Sequence, residues 1–592
     1  MVCRILYSFV LSVAVTFIPV ATVDSYHFFD GDFILSAAPG FHEEPFDLIV
    51  SIPSMPSAAI YWTIDGNEPT PGDDRFIQRG EYIFQVSGSI PPDGKIAVND
   101  RSGYWRYSIL TTHSEQWHRH HHVLPVEGAE ILQGTAFRFR AFINDEPVTE
   151  TITATYFVAS NAAARFDNNP IIAITAPYED FIYIYYHAHI HDLETRRRLF
   201  NYEFFEPNDG DYTRIFNLPG SSSLGGRGSR GHAQRTINVH LTRGQLDANV
   251  EHPIFPGLYE TYRFRLWNGG NNFNRDFMRD PLAQTASAGL TLPFSDNRLA
   301  IKFINGEFWG FTSMREHTSN RHFVSTRLGV DINNVAIIDR NVAETTFGRY
   351  DLIIEGDEAI VRELFKELTD FLLSYDMTSD YAREHLFEKF FCQYNFMDYL
   401  IANTFFNNID WPHNNVRFFR AIEPDPNSPN PYNDGRWRFI LHDMDLAPDS
   451  IRPGYDESRF FHLYYLYYPY TDKRELWLNY AFLVFNNPTF AKQFRERAIY
   501  VLDNHYTQRQ LINLHNEFTM SYFPLLLEMY NRFAYLGTVD AALRNFTTHW
   551  FQLRMFLTNR EYHYRKQLDA LVERVSNTAV LGGSRYDIFH YR

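Results

Sequence analysis

The alternation of apolar and polar positions changes character along the chain. From about residue 27 to 158 it follows the two-residue period of β-strands, in short runs broken by turn residues. Asp47–Ile52, Ala59–Ile64, Gly134–Phe142 and Glu150–Val158 are predicted strands. Asp65-Gly66-Asn67-Glu68-Pro69 supplies turn chemistry, because Asp and Gly tolerate left-handed backbone and Pro presets φ. Short strands without helical periodicity predict a small antiparallel β-sandwich. Asn161–Asn169, rich in Asn and Ala and ending before Pro170, is an expected linker.

Beyond the linker, strands and helices mix. Ile171–Thr175, Arg235–Leu241 and Leu299–Phe303 are predicted strands. Ile360, Leu364, Leu368, Phe371 and Leu372 fall on one face at helix spacing, as do Phe387, Phe391, Tyr394 and Met397. From about 475 to 575 the pattern is largely helical, with few Gly or Pro. A strand-rich half followed by a helix-rich half predicts a two-lobed α+β domain.

Composition narrows the picture. The 592 residues are 45% hydrophobic and 17% aromatic, which supports a large core and argues against disorder. Fifty-four Lys and Arg against 71 Asp and Glu give a net charge of -17. No sustained basic run replaces phosphate counterions, so nucleic acid is not an expected partner. Residues 1–23 have the make-up of a signal peptide: Arg4, an apolar Ile5–Ile18, then Ala21-Thr22-Val23. An uncleaved N-terminal anchor is the alternative, and either places the protein outside the cytoplasm, secreted or in the cell envelope. Loss of Cys3 with this leader would leave Cys392 as a single thiol, expected to pack in an apolar helical stretch.

The chemistry concentrates between Asn407 and Asp449. An apolar helix, Tyr399–Phe406, feeds a polar loop with Asp410, Asn414 and Asn415; a short strand, Val416–Arg420, follows. A second strand, Trp437–Leu441, ends at His442-Asp443-Met444-Asp445. Pairing of these strands would bring Asp410, Asn415 and Asp443 to one end of a hairpin. Phosphoryl transfer needs a carboxylate facing the attacking hydroxyl and oxygen ligands for Mg²⁺ or Mn²⁺. Asp410 and Asn415 have the separation of the Asp and Asn in the kinase catalytic loop, and Asp443 follows as a metal-binding Asp would. A turn-capping Asp410 beside a structural or Ca²⁺-binding Asp443/Asp445 pair is the competing reading.

Several blocks resemble the CotH (spore coat protein H) kinase family in order: Gly228-Ser229-Arg230 with Arg235–Val239, Arg279–Gln284, Asn305–Gly310 with Arg315-Glu316, and the Asp410 and Asp443–Asp445 segments. The resemblance implies an atypical protein-kinase-like, two-lobed fold that transfers phosphate from ATP to Ser/Thr of exported proteins. By it, Asp410 is the catalytic base, Asn415 a Mg²⁺ ligand with Asn414 as the alternative in register, Asp443 the main metal ligand and Asp445 a further one. Glu316, expected to open a helix, would anchor a phosphate-contacting cation. The family's usual Lys is matched by Arg235, with Lys302 the alternative, and Arg230 joins the nucleotide-binding set. This departure opens a second reading, a catalytically inactive kinase-like protein that binds envelope or cell-wall material. Gly220–Gly231 could cradle phosphate or be a surface loop.

Tyr61–Thr70, Gly134-Thr135 and Thr153–Phe157 resemble the chitobiase/hexosaminidase C-terminal-type β-sandwich. The expected organisation is therefore a leader (1–23), an accessory sandwich (24–160), a kinase core (161–455) and a helical C-terminal part (456–592). Two features stay open: His118–His122, a metal site or a solvated loop, and the aromatic run Phe460–Tyr468, a substrate groove or buried core. Trp309 and Phe308 are expected to pack the hairpin onto its lobe.

Overall fold

Two small sheets share one apolar core at the N-terminal end. One contains Phe28–Asp30, Phe33–Leu35, Phe46–Ser51 and Lys95–Val98; the other contains Gly40–His42, Ile152–Val158, Thr135–Ile143, Ala59–Thr63 and Ser87–Ser89. The two-residue period explains the core: in Phe46–Ser51, Leu48 and Val50 are buried while Asp47 and Ile49 are exposed. They meet Trp62, Phe137, Phe139 and Ala154, each large apolar side chain contributing about 1.5–3 kcal/mol by leaving water. The pairing is not wholly antiparallel, because Gly40–His42 runs parallel to Ile152–Val158. The computed structural model describes residues 28–581 apart from 80–81, 102–124, 127, 161, 188–196, 227–228, 230–231, 244–245, 259, 341–352, 413–414, 449–480, 482 and 534–536. The leader 1–23, His118–His122, Arg230, Asn414 and Phe460–Tyr468 lie outside the described residues.

The expected linker is packed. Ala162–Arg165 forms a helical turn, and Ala162, Ala163 and Phe166 are buried. Phe166 stacks on Phe308 and meets Phe303 edge-on, and Phe157 of the N-terminal core also touches Phe303. Aromatic burial at this junction removes the solvation that a free linker would need. The turn Asn305-Gly306 adds to the junction. Both residues have positive φ, 48° and 80°, and the Gly134 amide donates to the Gly306 carbonyl at 2.7 Å.

Eight strands form the central sheet in the order Asp211–Leu224, Arg198–Asn208, Ile171–Thr175, Asn297–Ile304, Glu307–Glu316, Arg263–Trp267, Ile237–Arg243, Leu246–Asp247. The first strand also pairs with Ile237–Arg243, through Gly220↔Leu241 to Leu224↔Ile237, so the sheet closes on itself. The expected loop from Gly220 thus begins as strand, its backbone groups taken by ladder hydrogen bonds. Trp309 and Phe308 are buried as expected.

A second, antiparallel sheet orders Ile353–Glu355, Val335–Arg340, Val416–Ala421 and Arg438–Ile440. The buried helix Gln393–Phe405 packs on Arg438–Ile440 and on the C-terminal helices Pro488–Asn504 and Val539–Leu581. Phe387 to Met397 do not form one helix: Phe391 is extended, and Cys392 caps the start of Gln393–Phe405. Tyr394 consequently stands 60% exposed. Helix Glu358–Ser374 buries Val361, Leu368, Phe371 and Leu372, with Ile360 rotated out to solvent. No helix among the described residues is long and apolar enough to cross a membrane.

Candidate functional site

The strand pair predicted from the sequence positions the candidate residues. Val416–Ala421 pairs with Arg438–Ile440 through Arg417↔Ile440. The preceding loop and the one after the second strand therefore emerge side by side, and the Ile409 amide donates to the Leu446 carbonyl at 3.4 Å. Trp411 anchors the first loop by donating its indole N–H to Tyr399 Oη at 2.8 Å, and Tyr399 stacks on Phe439 at 4.2 Å. Asn415 and Asp443 both adopt left-handed backbone, with φ of 63° and 52°, a conformation that Asn and Asp tolerate best among non-glycine residues.

Asn415 donates its side-chain amide to Asp410 Oδ2 at 2.9 Å. Asp443 lies in the same electrostatic neighbourhood. Its carboxyl is raised well above the ordinary range, first by burial and then by Asp445, Asp280 and Asp410, with Arg315 opposing. Asp445 is pushed up to about 6 by burial, while bonds from Asn271 act against the shift. The Asn271 backbone amide reaches Asp445 Oδ2 at 2.8 Å and its side-chain amide at 3.0 Å. Gly270 leaves the room for this: a Cβ there would meet Asp445 Oδ2 at 2.1 Å. Asp280, on helix Arg279–Ala286, accepts from the Met444 amide at 2.6 Å and pairs with Arg315.

Positive groups flank these acids. Arg265, on Arg263–Trp267, donates to Asn238 Oδ1 at 2.8 Å; burial, then Arg417 and Arg315, pull its guanidinium down to about 10, with Asp443 opposing. Arg417 pairs with Asp339 and contacts His442. Burial, with Arg417 and Arg265 next, drives His442 well below its usual range. His317 moves the same way, under burial, Arg265 and Arg417. Asp410, His442, Asp443, Arg265 and His317 are all half-buried. A row of recessed carboxylates beside guanidinium and imidazole groups suits a divalent cation held against a polyanion.

The structure thus brings Asp410, Asn415, Asp443 and Asp445 together. Arg235, Glu316 and Lys302 have other surroundings. Arg235 is 1% exposed, lies over the Tyr185 ring at 5.4 Å and donates Nε to the His232 carbonyl. Glu316 ends the strand Glu307–Glu316 instead of opening a helix; a turn at Thr318-Ser319 follows, and Asn320 caps Arg321–Leu328. Its carboxylate pairs with Arg327 at 3.0 Å. Lys302 is fully buried, and its Nζ has no hydrogen-bond partner. Sequence reasoning missed Arg265, Arg315, Arg417, His317 and His442 as site residues. One signal existed: Arg263-Phe-Arg265-Leu-Trp267 alternates charge and bulk, placing both Arg on one face of a strand. Asp280 sat inside a recognised block but without a role.

Fold and site together define a mixed α+β protein with a carboxylate-rich centre edged by guanidinium groups. The chain belongs to the CotH kinase protein family, whose model matches residues 225–564. Membership suggests a kinase-like phosphotransferase. No curated protein matches the chain.

Proposed function

We propose that this protein is an atypical, two-lobed protein kinase that moves the γ-phosphate of ATP to Ser/Thr hydroxyls of exported or envelope proteins. The observation that carries the reading is the Asn415–Asp410 hydrogen bond beside Asp443. In this scheme the acceptor hydroxyl oxygen bonds to the γ-phosphorus as the bond to the β,γ-bridging oxygen breaks, ADP leaves, and Asp410 takes the hydroxyl proton. Arg265, with Arg315 behind it, offers positive charge to the phosphates.

A Mg²⁺ or Mn²⁺ ion fits the donor set. Asp443 is crowded by Asp445, Asp280 and Asp410, and a divalent cation would supply positive charge where their repulsion now favours a proton. Among the described residues these acids do not form a trio with ligand atoms inside 4.8 Å. That is compatible with Mg²⁺, which keeps several waters and takes one or two carboxylates. Asp443 and Asn415 would hold the ion, Asp445 would support it, and the ion would neutralise phosphate charge. The N-terminal module is read as a chitobiase/hexosaminidase-type sandwich that contacts the cell wall or envelope, and the leader as the export signal.

Purified protein should label a basic protein substrate from γ-labelled ATP with Mg²⁺ or Mn²⁺, and Asp443→Ala should abolish labelling. Equal labelling by both proteins would remove Asp443 from the site. The buried Arg235 favours a second reading, a nucleotide-independent binding protein. That protein would show no thermal shift with millimolar ATP and Mg²⁺, whereas a nucleotide binder is stabilised by mass action.

A further inference from the structure

His240, Asp247 and His322 come from three separate elements and converge. His240 lies on strand Ile237–Arg243, Asp247 on the short edge strand Leu246–Asp247, and His322 on helix Arg321–Leu328. The register pairs Thr242 with Asp247. His240, two residues from Thr242, shares its face of the sheet and so reaches the carboxylate diagonally. The helix brings the second imidazole from above. His322 stacks on Tyr262 with centroids 4.7 Å apart, which fixes its ring plane.

The ligating atoms of the three residues all lie within 4.8 Å of one another. His322 Nε2 is 3.0 Å from Asp247 Oδ2, in hydrogen-bond geometry. His240 Nε2 is 2.7 Å from the other carboxylate oxygen, Oδ1. One carboxylate thus gathers two imidazole nitrogens from separate elements, one against each of its oxygens.

We propose that His240, Asp247 and His322 form a site for a borderline transition-metal ion, with Zn²⁺ as its natural occupant. Two imidazoles and one carboxylate are a common three-ligand set for Zn²⁺, and they leave a fourth position open. Arg263 stands opposite His240 in the strand register, and its Nε has no hydrogen-bond partner. The cation beside the ion therefore selects an anionic fourth ligand, such as hydroxide or a phosphate oxygen. His322 also lines a pocket with Tyr262, Arg263, Glu316, His317 and Asn320. The ion would tie helix Arg321–Leu328 to the edge of the central sheet. This site uses none of the residues assigned to phosphoryl transfer and stands without that reading.

The test is titration of chelator-treated full-length protein with Zn²⁺ by calorimetry, and with Co²⁺ by visible absorption, without nucleotide or Mg²⁺. One micromolar or tighter site is expected, with a rise in melting temperature and a four- or five-coordinate Co²⁺ spectrum. His240→Ala and His322→Ala should each weaken binding about tenfold or more, and replacing His118–His122 with Ser should leave this site unchanged. If an alanine variant melts early, Asp247→Asn replaces it, because the amide keeps a hydrogen bond to His322 and removes the charged ligand. Absence of micromolar binding, or binding that survives Asp247→Asn and both histidine variants, would overturn the assignment.

Discussion

Asn415 and Asp410 are joined by a 2.9 Å hydrogen bond in which the amide donates and the carboxylate accepts. The direction of that bond matters. With its N–H turned toward Asp410, the Asn415 side chain leaves its carbonyl oxygen as an electron donor on the opposite side, the end that a hard cation takes. The backbone at Asn415 is left-handed (φ 63°), a conformation that asparagine tolerates better than most residues.

Asp410→Asn keeps the shape of the loop and removes the proton acceptor. Phosphotransfer should fall about 10²–10⁴-fold in kcat, the usual contribution of a general base, while the ATP–Mg²⁺ thermal shift persists. Asn415→Ala should instead weaken both, because it removes a metal donor and frees Asp410 to turn. Initial rates at saturating ATP, run beside thermal shifts, separate the two outcomes. Loss of the thermal shift in Asp410→Asn would mean that this carboxylate supports nucleotide binding and not proton transfer.

Arg315 and Asp280 form a pair buried on both sides, with side chains 6% and 0% exposed. Arg315 also stacks over Trp267 at 4.3 Å. Arg315→Ala leaves Asp280 charged or protonated in a site built for its ion, and should cost about 3–5 kcal/mol, as breaking buried pairs does. Arg315→Ala with Asp280→Ala should cost less than the sum of the single changes. Denaturant titration of the four proteins measures the coupling; additive losses would show that the two side chains do not interact.

Much of this site was legible because chemistry and periodicity agreed. The strand pair Val416–Ala421 and Arg438–Ile440 followed from apolar alternation, and with it the meeting of Asp410, Asn415 and Asp443. The cations were not legible. Arg265 and Arg417 lie 152 positions apart in sequence, and only the tertiary fold brings them near each other and Arg265 near Asp443. Local pattern carries no information on such long-range approach. The break at Phe391-Cys392 was missed for a different reason: its residues satisfy helix spacing, but tertiary packing of Phe391 on Phe439 at 5.3 Å overrides it.

Gly306→Ala tests the junction between the N-terminal core and the central sheet. A Cβ at this position, φ 80°, would stand 2.2 Å from the Gly134 carbonyl oxygen. The left-handed backbone alone costs a non-glycine residue about 1–2 kcal/mol, and the clash should break the hydrogen bond from the Gly134 amide. Lower thermal stability is expected, with faster proteolysis between residues 124 and 170. Gly210→Ala is the comparison, since Gly210 has φ 88° and nothing within 4 Å of an added Cβ. Equal losses in the two variants would show that backbone strain, and not the junction, sets the cost.

Lys302 gives the clearest dependence on pH. It sits at the bulge of strand Asn297–Ile304, opposite Ile172, with no partner for Nζ. Burial alone lowers its pKa from 10.5 to about 7. Between those two values the unfolded chain holds a proton that the folded chain has released, so stability from this residue rises with pH across the window. Below about 7 both states are protonated, and the folded state bears the full cost of a buried ammonium. Lys302→Met removes the charge at similar volume. It should raise stability by a few kcal/mol at pH 6, by less at pH 8, and hardly at all above pH 10. Melting temperatures of both proteins from pH 6 to 10 measure the trend. A variant that is stabilised but has lost phosphotransfer would place Lys302 against the nucleotide, in the role first considered for it. A variant destabilised at every pH would mean that the ammonium has a partner in solution.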